Sequence, residues 1–258
     1  MKYLEKFKLS KKIAFVVGGS GLIGREICSA ISEFGSKVVL IDKKINKNLF
    51  KYNKNIYLEK FDISKINALE KGYKKIVKKH GVPDIFVNAS YPRTGDWKNN
   101  SFNKIKYSSF EKNLKIHLNS FSWLSKLVAD SMRKNKTKGT IIQLSSIYGI
   151  VGQDISIYKG TTMEESMTYS VIKGGINNLT RQMASFYGRY NIRINSLCAG
   201  GVLDNQNKTF LKNYNNKVPL RRLAKSSEIA SVVVFLSSEA SSYITGSMLM
   251  VDGGWTAI

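Results

Sequence analysis

The sequence predicts one α/β domain of the doubly wound Rossmann type, in which a seven-stranded, mainly parallel sheet carries helices on both faces. Short apolar runs alternate with amphipathic segments along all 258 residues, and several runs are apolar at nearly every position, as in strands buried on both faces of a parallel sheet. A glycine-rich turn directly follows the first run. No linker, repeat or low-complexity segment interrupts the alternation, so the single domain is predicted to span residues 1–258.

Seven apolar runs are the predicted strands, because they are short, rich in strand-forming residues and bounded by turn residues. They cover residues 13–17, 38–41, 56–58, 84–87, 140–144, 192–197 and 248–251. Helices are predicted over 22–34, 64–79, 108–133, 167–187 and 227–236. The first helix has Ile23, Ile27 and Ile31 at helical spacing, and Gly35 ends it. Segment 203–210 is predicted to be a mobile flap.

The composition argues against several classes of partner. Lys and Arg number 41 against 18 Asp and Glu, a formal charge of +23 that would suit a nucleic acid or an anionic membrane. The lysines are scattered, however, and no zinc finger or RNA-reading aromatic motif accompanies them. Two cysteines cannot form a disulfide framework, and no Cys/His cluster has metal spacing. Without an apolar span of about 18 residues, a metal-free cytoplasmic protein that does not cross a membrane is expected.

The turn after the first strand has the form of a dinucleotide-binding loop. Gly19, Gly21 and Gly24 make the pattern G-x-G-x-x-G between a strand and a helix, the context that gives this pattern its meaning. Glycines let backbone N–H groups approach a pyrophosphate, and the N-terminus of the helix adds about half a positive charge. The predicted cofactor contacts in this loop are Gly18, Ser20, Gly21, Leu22, Ile23 and Gly24.

Asp42 ends the second strand, 18 residues after Gly24. A carboxylate at this place can accept hydrogen bonds from the adenosine ribose and repels a 2′-phosphate, which favours NAD over NADP. Lys43 and Lys44 follow directly and would weaken that repulsion. NAD is therefore the predicted cofactor, and NADP is the less favoured alternative.

Tyr169 and Lys173 are four residues apart and lie on one face of the fourth predicted helix. Lowering the pKa of a tyrosine from ~10 to about 7 requires roughly 4 kcal/mol of preferential stabilisation of the phenolate. A neighbouring ammonium together with the positive nicotinamide of NAD⁺ is a plausible source. Such a tyrosine can take the proton from an alcohol while hydride leaves for the cofactor, or run the reverse reaction. Ser146 closes the preceding strand, at the sheet edge where ligands bind.

Together these residues resemble the short-chain dehydrogenase/reductase family across essentially the whole chain. The features that carry the resemblance are the glycine loop, Asp42, segments 61–63 and 87–89, Ser145 and Ser146, Tyr169 and Lys173, Asn195 and Ser196, and segment 251–254. The resemblance implies that Tyr169 is the acid/base, that Ser146 and Tyr169 hold the reacting oxygen, and that Lys173 binds the nicotinamide ribose and lowers the pKa of Tyr169. The implied further cofactor contacts are Asp62 and Ile63 at the adenine, Asn88 and Ala89 along the sheet edge, and Gly200 and Val202 towards the nicotinamide.

Three positions depart from the family pattern. The middle glycine of the usual loop falls on Leu22, and the proline that usually precedes Gly200 is Ala199. The asparagine expected in the long helix before the fifth strand falls on His117. His117 is therefore a candidate catalytic residue, if that asparagine works through its main-chain carbonyl and a water. The alternative is a histidine packed against its neighbours.

A narrower resemblance is to one branch of the family, the flagellin post-translational modification protein A oxidoreductases of bacterial surface-sugar pathways. The matching segments are 117–118, 145–149, 157–161, 200–205 and 244–246. This branch also accounts for the long gap between Ser146 and Tyr169. The resemblance implies a substrate of the sugar type.

Two loops are predicted to open at the substrate end of the sheet. Arg93, in the loop after the fourth strand, can anchor a phosphate or carboxylate, and Trp97 can stack on a sugar ring. The insertion 152–167 lies over the nicotinamide end, because it connects the serine of the catalytic group to the tyrosine. For all of these residues the alternative is a packed surface loop. The candidate substrate residues are Arg93, Tyr158, Thr161 and Met163.

The sequence therefore predicts an NAD-dependent oxidoreductase that interconverts a secondary alcohol and a ketone on a sugar, sugar phosphate or nucleotide sugar, in surface polysaccharide or flagellin glycan biosynthesis. One alternative is a reductase for 3-oxoacyl thioesters or other small ketones. Alternatives of another class are a catalytically silent cofactor-bound binding protein and a nucleic-acid binder. The helices over 108–133 and 167–187 resemble those that the family pairs in dimer interfaces, so a homodimer or homotetramer is expected.

Overall fold

The computed structural model of the protein describes residues 2–46, 48, 50–51 and 53–258. Within these residues, seven strands form one sheet in the order β3-β2-β1-β4-β5-β6-β7, and every neighbouring pair is parallel. This confirms the predicted fold class, with a sheet that is parallel throughout rather than mainly so. The strands are β1 (Ile13–Val17), β2 (Lys37–Asp42), β3 (Ile56–Lys60), β4 (Ile85–Asn88), β5 (Thr140–Ser146), β6 (Arg193–Ala199) and β7 (Met248–Val251).

Seven α-helices lie around the sheet within the same described ranges. They are α1 (Leu22–Glu33), α2 (Leu69–His80), α3 (Tyr107–Asn113), α4 (Ser120–Lys134), α5 (Met167–Tyr187), α6 (Lys208–Lys217) and α7 (Ser226–Ser237). None of the helices in the described part of the chain combines the length and the apolar character needed to span a bilayer.

Side chains of the strands alternate between two hydrophobic cores. On one face Val16 packs with Ile27 of α1 and Val233 of α7. On the other face Phe15 packs in a core that includes Leu124 of α4 and residues of α2 and α5. Because both faces are covered, the strands need apolar residues at successive positions, which explains their continuous apolar runs.

A third cluster of buried apolar residues lies outside these two cores. Ring stacking holds part of it together, since the centres of the Tyr214 and Trp255 rings are 4.6 Å apart. Asn213 of α6 adds hydrogen bonds from its side-chain amide to the carbonyl oxygens of Ile157 and Lys159, at 3.2 and 2.8 Å. The insertion after β5, α6 and the C-terminal segment therefore form one packed unit. The members of the third cluster are Ile147, Ile157, Phe210, Tyr214, Val218, Leu223 and Trp255.

The segment after β6 is more regular than the sequence predicted. The loop predicted over 203–210 ends earlier, because α6 begins at Lys208, and the mobility of this segment stays a prediction. Asn207 caps this helix, and its Oδ1 accepts the N–H groups of Thr209 and Phe210 at 2.8 and 3.3 Å. Phe210 and Tyr214, four residues apart, anchor α6 in the third cluster. The surrounding Lys and Asn residues obscure this pattern in the sequence.

The helix predicted over 108–133 is divided by a π-helical turn. The turn covers Leu114–Asn119 and separates α3 from α4. The hydroxyl of Ser120 donates to the carbonyl oxygens of Ile116 and His117, at 2.7 and 3.1 Å. Such π-helical turns occur frequently at functional sites, and this one contains His117.

The position of the ligand cleft follows from the strand order. β1 has β2 on one side and β4 on the other. The connection after β1 therefore runs towards one edge of the sheet, and the connection after β4 runs towards the other edge. In open α/β sheets ligands bind in the crevice beyond the carboxyl ends of the strands at such a point. The residues that follow β1, β2 and β4 are therefore the first place to look for a site.

Candidate active site

A cleft of about 850 Å³ opens at the carboxyl ends of the strands. It brings together residues from most of the length of the chain. Ser20 and Asn88, two predicted cofactor contacts, do not line it. The predicted cofactor residues that do are Gly18, Gly21, Leu22, Ile23, Gly24, Asp42, Asp62, Ile63, Ala89, Tyr169, Lys173, Gly200 and Val202.

Close packing fixes the glycines of the loop after β1. Gly18 has a φ of +77°, and a Cβ there would lie 2.7 Å from backbone atoms of Ala89 and Ser90. A Cβ on Gly24 would collide with the carbonyl oxygen of Gly18. Gly21 is the N-cap residue of α1 and has no side chain that could accept a hydrogen bond. The backbone N–H groups of the first turn of α1 are therefore not capped by the N-cap residue. The loop thus presents bare N–H groups at a helix N-terminus.

These features fit a pyrophosphate group. Ser20 Oγ is buried and has no hydrogen-bond partner among the described residues. A phosphate oxygen would supply that partner, and the N-terminus of α1 favours negative charge at the same place. Leu22, where the family pattern has glycine, is the first residue of α1 and lines the cleft. Ser20, Gly21, Leu22 and Ile23 are the residues that would hold the phosphates of a dinucleotide.

The carboxylate of Asp42 is held by backbone groups on both sides. Its Oδ2 accepts the N–H of Ser20 at 3.1 Å, and its Oδ1 accepts the N–H of Lys44 at 3.2 Å. Lys43 lines the same cleft, and Lys43, Lys44 and Lys60 surround a shallow pocket beside it. The adenosine end of the cleft therefore carries one fixed carboxylate with three ammonium groups close by.

Two other predicted cofactor residues have mainly local contacts. Asp62 Oδ1 accepts the hydroxyl of Ser64 at 2.7 Å, which fixes the turn after β3. Asn88 is completely buried, and its Oδ1 accepts the hydroxyl of Ser90 at 2.6 Å. The side-chain amide nitrogen of Asn88 has no partner among the described residues. Asn88 thus lies beneath the cleft, where it positions Ser90.

Tyr169 and Lys173 line the other end of the cleft, and Ser146, which does not line it, lies next to Tyr169. Lys173 Nζ lies 5.5 Å from the centre of the Tyr169 ring and donates to the carbonyl oxygen of Leu144 at 2.8 Å. The Ser146 hydroxyl is close enough to the Tyr169 phenol to favour the phenolate. Ser146 Oγ also accepts the N–H of Tyr148 at 3.2 Å, which orients the serine. Two of the three predicted catalytic side chains therefore line the cleft together, and the third lies beside the phenol.

Burial dominates the electrostatics of this group. It raises the pKa of Tyr169, against the opposite effect of the nearby Ser146 hydroxyl. Burial also lowers the pKa of Lys173 to about 8. The direction for Tyr169 differs from the sequence-based expectation, because removal from water disfavours both the phenolate and the ammonium. The protein alone thus keeps the phenol protonated at neutral pH.

His117 is completely buried and lies close to this group without lining the cleft. Its ring centre is 5.4 Å from that of Tyr91 and 5.9 Å from that of Phe121. Neither ring nitrogen has a hydrogen-bond partner among the described residues. Burial, reinforced by the charge of Lys173, holds the pKa of His117 well below its ordinary value. The His117 side chain is therefore a neutral imidazole that contacts the Tyr91 ring, and the Tyr91 ring in turn contacts that of Tyr169.

His117 should make the wild-type protein sensitive to mild acid. Its pKa is depressed in the folded state, so the stability it confers is present above the unfolded pKa of ~6.5 and is lost as the pH falls, because only the unfolded chain gains the proton. The free energy of unfolding of the wild type, relative to His117→Asn, should fall by about 1.4 kcal/mol per pH unit. Urea titrations between about pH 7 and pH 5 measure this slope. A difference that does not change with pH would contradict it.

The predicted substrate residues divide into two pairs. Arg93 and Met163 line the cleft next to Tyr169, but Tyr158 and Thr161 do not. The Tyr158 hydroxyl donates to Gln153 Oε1 at 3.1 Å, and Thr161 Oγ1 donates to the carbonyl oxygen of Tyr158 at 2.8 Å. Both side chains therefore serve the internal structure of the insertion, and their placement does not support contact with substrate.

Sequence reasoning did not assign several residues that line the cleft, among them Tyr91, Asp204 and Gln206. The Tyr91 ring lies edge-on to the rings of Trp97 and Tyr169, with centres 5.5 and 5.8 Å apart. Asp204 and Gln206 also line the cleft, from the segment after β6. Their position directly after a strand end is the sequence signal that could have identified them.

Comparisons with known proteins agree with this geometry. Residues 19–256 match the family profile described as Enoyl-(Acyl carrier protein) reductase. Post-translational flagellin modification protein A of Campylobacter coli is 34% identical over 256 residues, covering 96% of this chain and 99% of that protein. The 3-oxoacyl-[acyl-carrier-protein] reductase FabG of Buchnera aphidicola subsp. Schizaphis graminum is 31% identical over 257 residues, covering 96% of this chain and 98% of that protein.

A solved structure agrees as well. The short chain dehydrogenase of Leptospira borgpetersenii serovar Hardjo-bovis with bound NAD⁺ superposes with a TM-score of 0.88 and 27% identity, over 99% of this chain and 96% of that one. The seven-stranded parallel sheet, the glycine loop and the near full-length matches point to the same conclusion. This chain belongs to the short-chain dehydrogenase/reductase family and is an NAD(P)-dependent oxidoreductase.

Proposed function

We propose that the protein interconverts a secondary alcohol and a ketone on a polar substrate of the sugar type, with NAD as its preferred cofactor. The observation that carries the proposal is the single cleft that has the glycine loop at one end and Tyr169 with Lys173 at the other. The similarity to a flagellin modification protein supports a sugar substrate and a place in surface glycan biosynthesis. A homodimer or homotetramer in the cytoplasm completes the proposal, with Trp123 of α4 and Phe186 of α5 exposed on the helices that would pair.

In this proposal Tyr169 moves the proton. When bound, a nicotinamide dinucleotide would accept or donate the hydride at the carbinol carbon. During oxidation the Tyr169 phenolate takes the hydroxyl proton of the alcohol, and during reduction the phenol returns it to the ketone oxygen. Ser146 hydrogen-bonds to the same oxygen and holds it beside the phenol. Lys173 stabilises the phenolate by its charge, and Asp42 would hold the adenosine ribose.

The preference for NAD is proposed because the carboxylate of Asp42 is fixed by two backbone N–H groups and cannot turn away from a 2′-phosphate. Asp42→Asn should therefore raise the affinity for NADPH relative to NADH by about 10- to 100-fold, since one like-charge repulsion is removed beside three lysines. Dissociation constants from nicotinamide fluorescence measure this ratio without any substrate.

Glu70→Gln is the matched control, because it removes an equal charge from an exposed residue of α2. That variant should keep the wild-type ratio of affinities. Equal binding of NADH and NADPH by the wild type would contradict the proposed preference. If neither nucleotide binds, the proposed function itself fails.

A reductase for 3-oxoacyl thioesters is the second candidate. It is favoured by the similarity to the FabG protein of Buchnera aphidicola and by the description of the matching family profile. Turnover of NADH or NADPH with an acetoacetyl thioester, compared with sugar phosphates and nucleotide sugars, separates the two. Faster turnover of the thioester would replace the sugar proposal while leaving the role of Tyr169 intact.

A further inference from the structure

We infer that Arg93 is a preformed binding site for an anionic group of the substrate. The substrate then carries a carboxylate or phosphate that binds Arg93 while its alcohol carbon reacts at Tyr169. This inference rests on the proposed function and names the class of substrate within it. It concerns the wall of the cleft formed by the loop after β4.

Arg93 is an exposed residue that lines the cleft, and no anion among the described residues neutralises its guanidinium. Its central carbon lies 5.3 Å from the centre of the Tyr91 ring, a cation–π arrangement. Arg93 lines the cleft, and so does Asp204, yet no ion pair joins Arg93 to Asp204 or to any other acid in the described residues. The partner of this guanidinium is the uncharged Tyr91 side chain, so it keeps N–H donors for a planar or tetrahedral oxyanion.

The backbone on both sides of Arg93 is held in place. Pro92 precedes it, is buried and has a fixed φ. Thr94 follows it and is held twice by the completely buried Asn113, whose Oδ1 accepts the Thr94 N–H at 3.0 Å and whose side-chain amide donates to Thr94 Oγ1 at 2.8 Å. The Arg93 side chain is exposed, but the backbone that carries it is fixed, and a binding residue gains affinity when its position is fixed in advance.

Tyr91 sets the spacing between the anion and the reacting carbon. The Arg93 guanidinium lies over the Tyr91 ring. The Tyr91 ring also contacts the Tyr169 ring edge-on, with ring centres 5.8 Å apart. Tyr91 and Tyr169 both line the cleft, so the wall between Arg93 and the phenol is aromatic. Trp97, which does not line the cleft, packs edge-on against the Tyr91 ring. Aromatic faces and edges accommodate the C–H groups of a carbohydrate chain. A polyhydroxylated chain with a terminal oxyanion fits this sequence of groups.

The experiment uses three probes with one carbon skeleton: D-sorbitol, which is neutral, D-gluconate, which has a carboxylate, and D-sorbitol 6-phosphate. Inorganic phosphate is a fourth probe without a skeleton. Dissociation constants are measured by calorimetry on the full-length enzyme saturated with NADH. We expect gluconate or sorbitol 6-phosphate to bind about 10- to 100-fold more tightly than sorbitol, and Arg93→Gln to remove that advantage.

Lys98→Gln is the matched control, because Lys98 is an exposed cation of the same loop that does not line the cleft. It should leave all four dissociation constants unchanged, and Arg93→Lys should recover only part of the advantage, since an ammonium cannot form two parallel hydrogen bonds. The relative loss for gluconate and for sorbitol 6-phosphate identifies the carboxylate or the phosphate as the natural group.

The inference is overturned if sorbitol binds as tightly as gluconate and sorbitol 6-phosphate, or if Arg93→Gln weakens the binding of all three equally. It is also overturned if no anionic probe binds the complex with NADH. These outcomes differ from failure of the proposed function, which is shown by absence of NADH binding in the wild type. Turnover of gluconate or sorbitol 6-phosphate that depends on Tyr169 but not on Arg93 would keep the proposed function and reject the subsite.

Discussion

Replacement of Tyr169 by phenylalanine is expected to lower kcat for alcohol oxidation by about 10²- to 10⁴-fold, the usual contribution of a positioned acid/base. The substitution removes only the hydroxyl. The edge-on contacts of the ring with Tyr91, Trp97 and Tyr148 remain, so the cleft keeps its shape. Single-turnover oxidation, followed by NADH absorbance with the most active alcohol of the screen, measures the effect. The dissociation constant of NADH should change by less than about twofold.

Tyr190→Phe is the matched control for this substitution. Tyr190 lies just beyond α5, is 36% exposed and packs against Arg133 and Arg189 rather than against the cleft. Its variant should oxidise the alcohol at the wild-type rate. If Tyr169→Phe retains more than about one tenth of kcat, another group carries the proton and the proposed mechanism is wrong.

Gly24→Ala is expected to weaken NADH binding by about 100-fold or more, equivalent to about 2.8 kcal/mol. A methyl group at this position collides with the backbone of Gly18 and Gly19, so the first turn of α1 must move away from the loop. The N–H groups of that turn would then no longer point at the pyrophosphate. Overpacking of this kind should also lower the free energy of unfolding by about 1–3 kcal/mol.

Two measurements separate the loss of binding from general damage. Gly188→Ala is the control, because a Cβ there meets no atom within 4 Å. It should change neither the NADH dissociation constant nor the urea midpoint. NADH titrations and urea unfolding of both variants are compared with the wild type. Normal NADH affinity in Gly24→Ala would show that α1 does not hold the phosphates.

The sequence was sufficient for the features that depend on local pattern and strand order. Continuous apolar runs identified all seven strands, because burial on both faces demands them. The step from Tyr169 to Lys173 follows from helical geometry, and parallel strands bring their carboxyl ends to one edge. These rules placed the loop from Gly18 to Gly24 and the tyrosine at opposite ends of one cleft.

Features that depend on tertiary packing were beyond such rules. The Tyr158 hydroxyl donates to Gln153 within the insertion instead of pointing to the substrate, and this depends on how the insertion folds back on itself. The pKa direction of Tyr169 depends on how completely the phenol is buried, which no spacing of residues reveals. The role of Tyr91 depends on a ring contact between segments that are far apart in the chain.

The third cluster has a consequence for how the molecule opens. Phe210, Tyr214 and Trp255 bury their rings among themselves and the insertion, apart from the two cores that hold the sheet. Regions with separate contacts can unfold locally as cooperative units at a lower free energy than the whole domain. We therefore expect amide protons of α6 to exchange with deuterium sooner than those of β4 and β5. In that opened form the strands and the glycine loop that bind the nucleotide would stay folded while the product leaves the cleft.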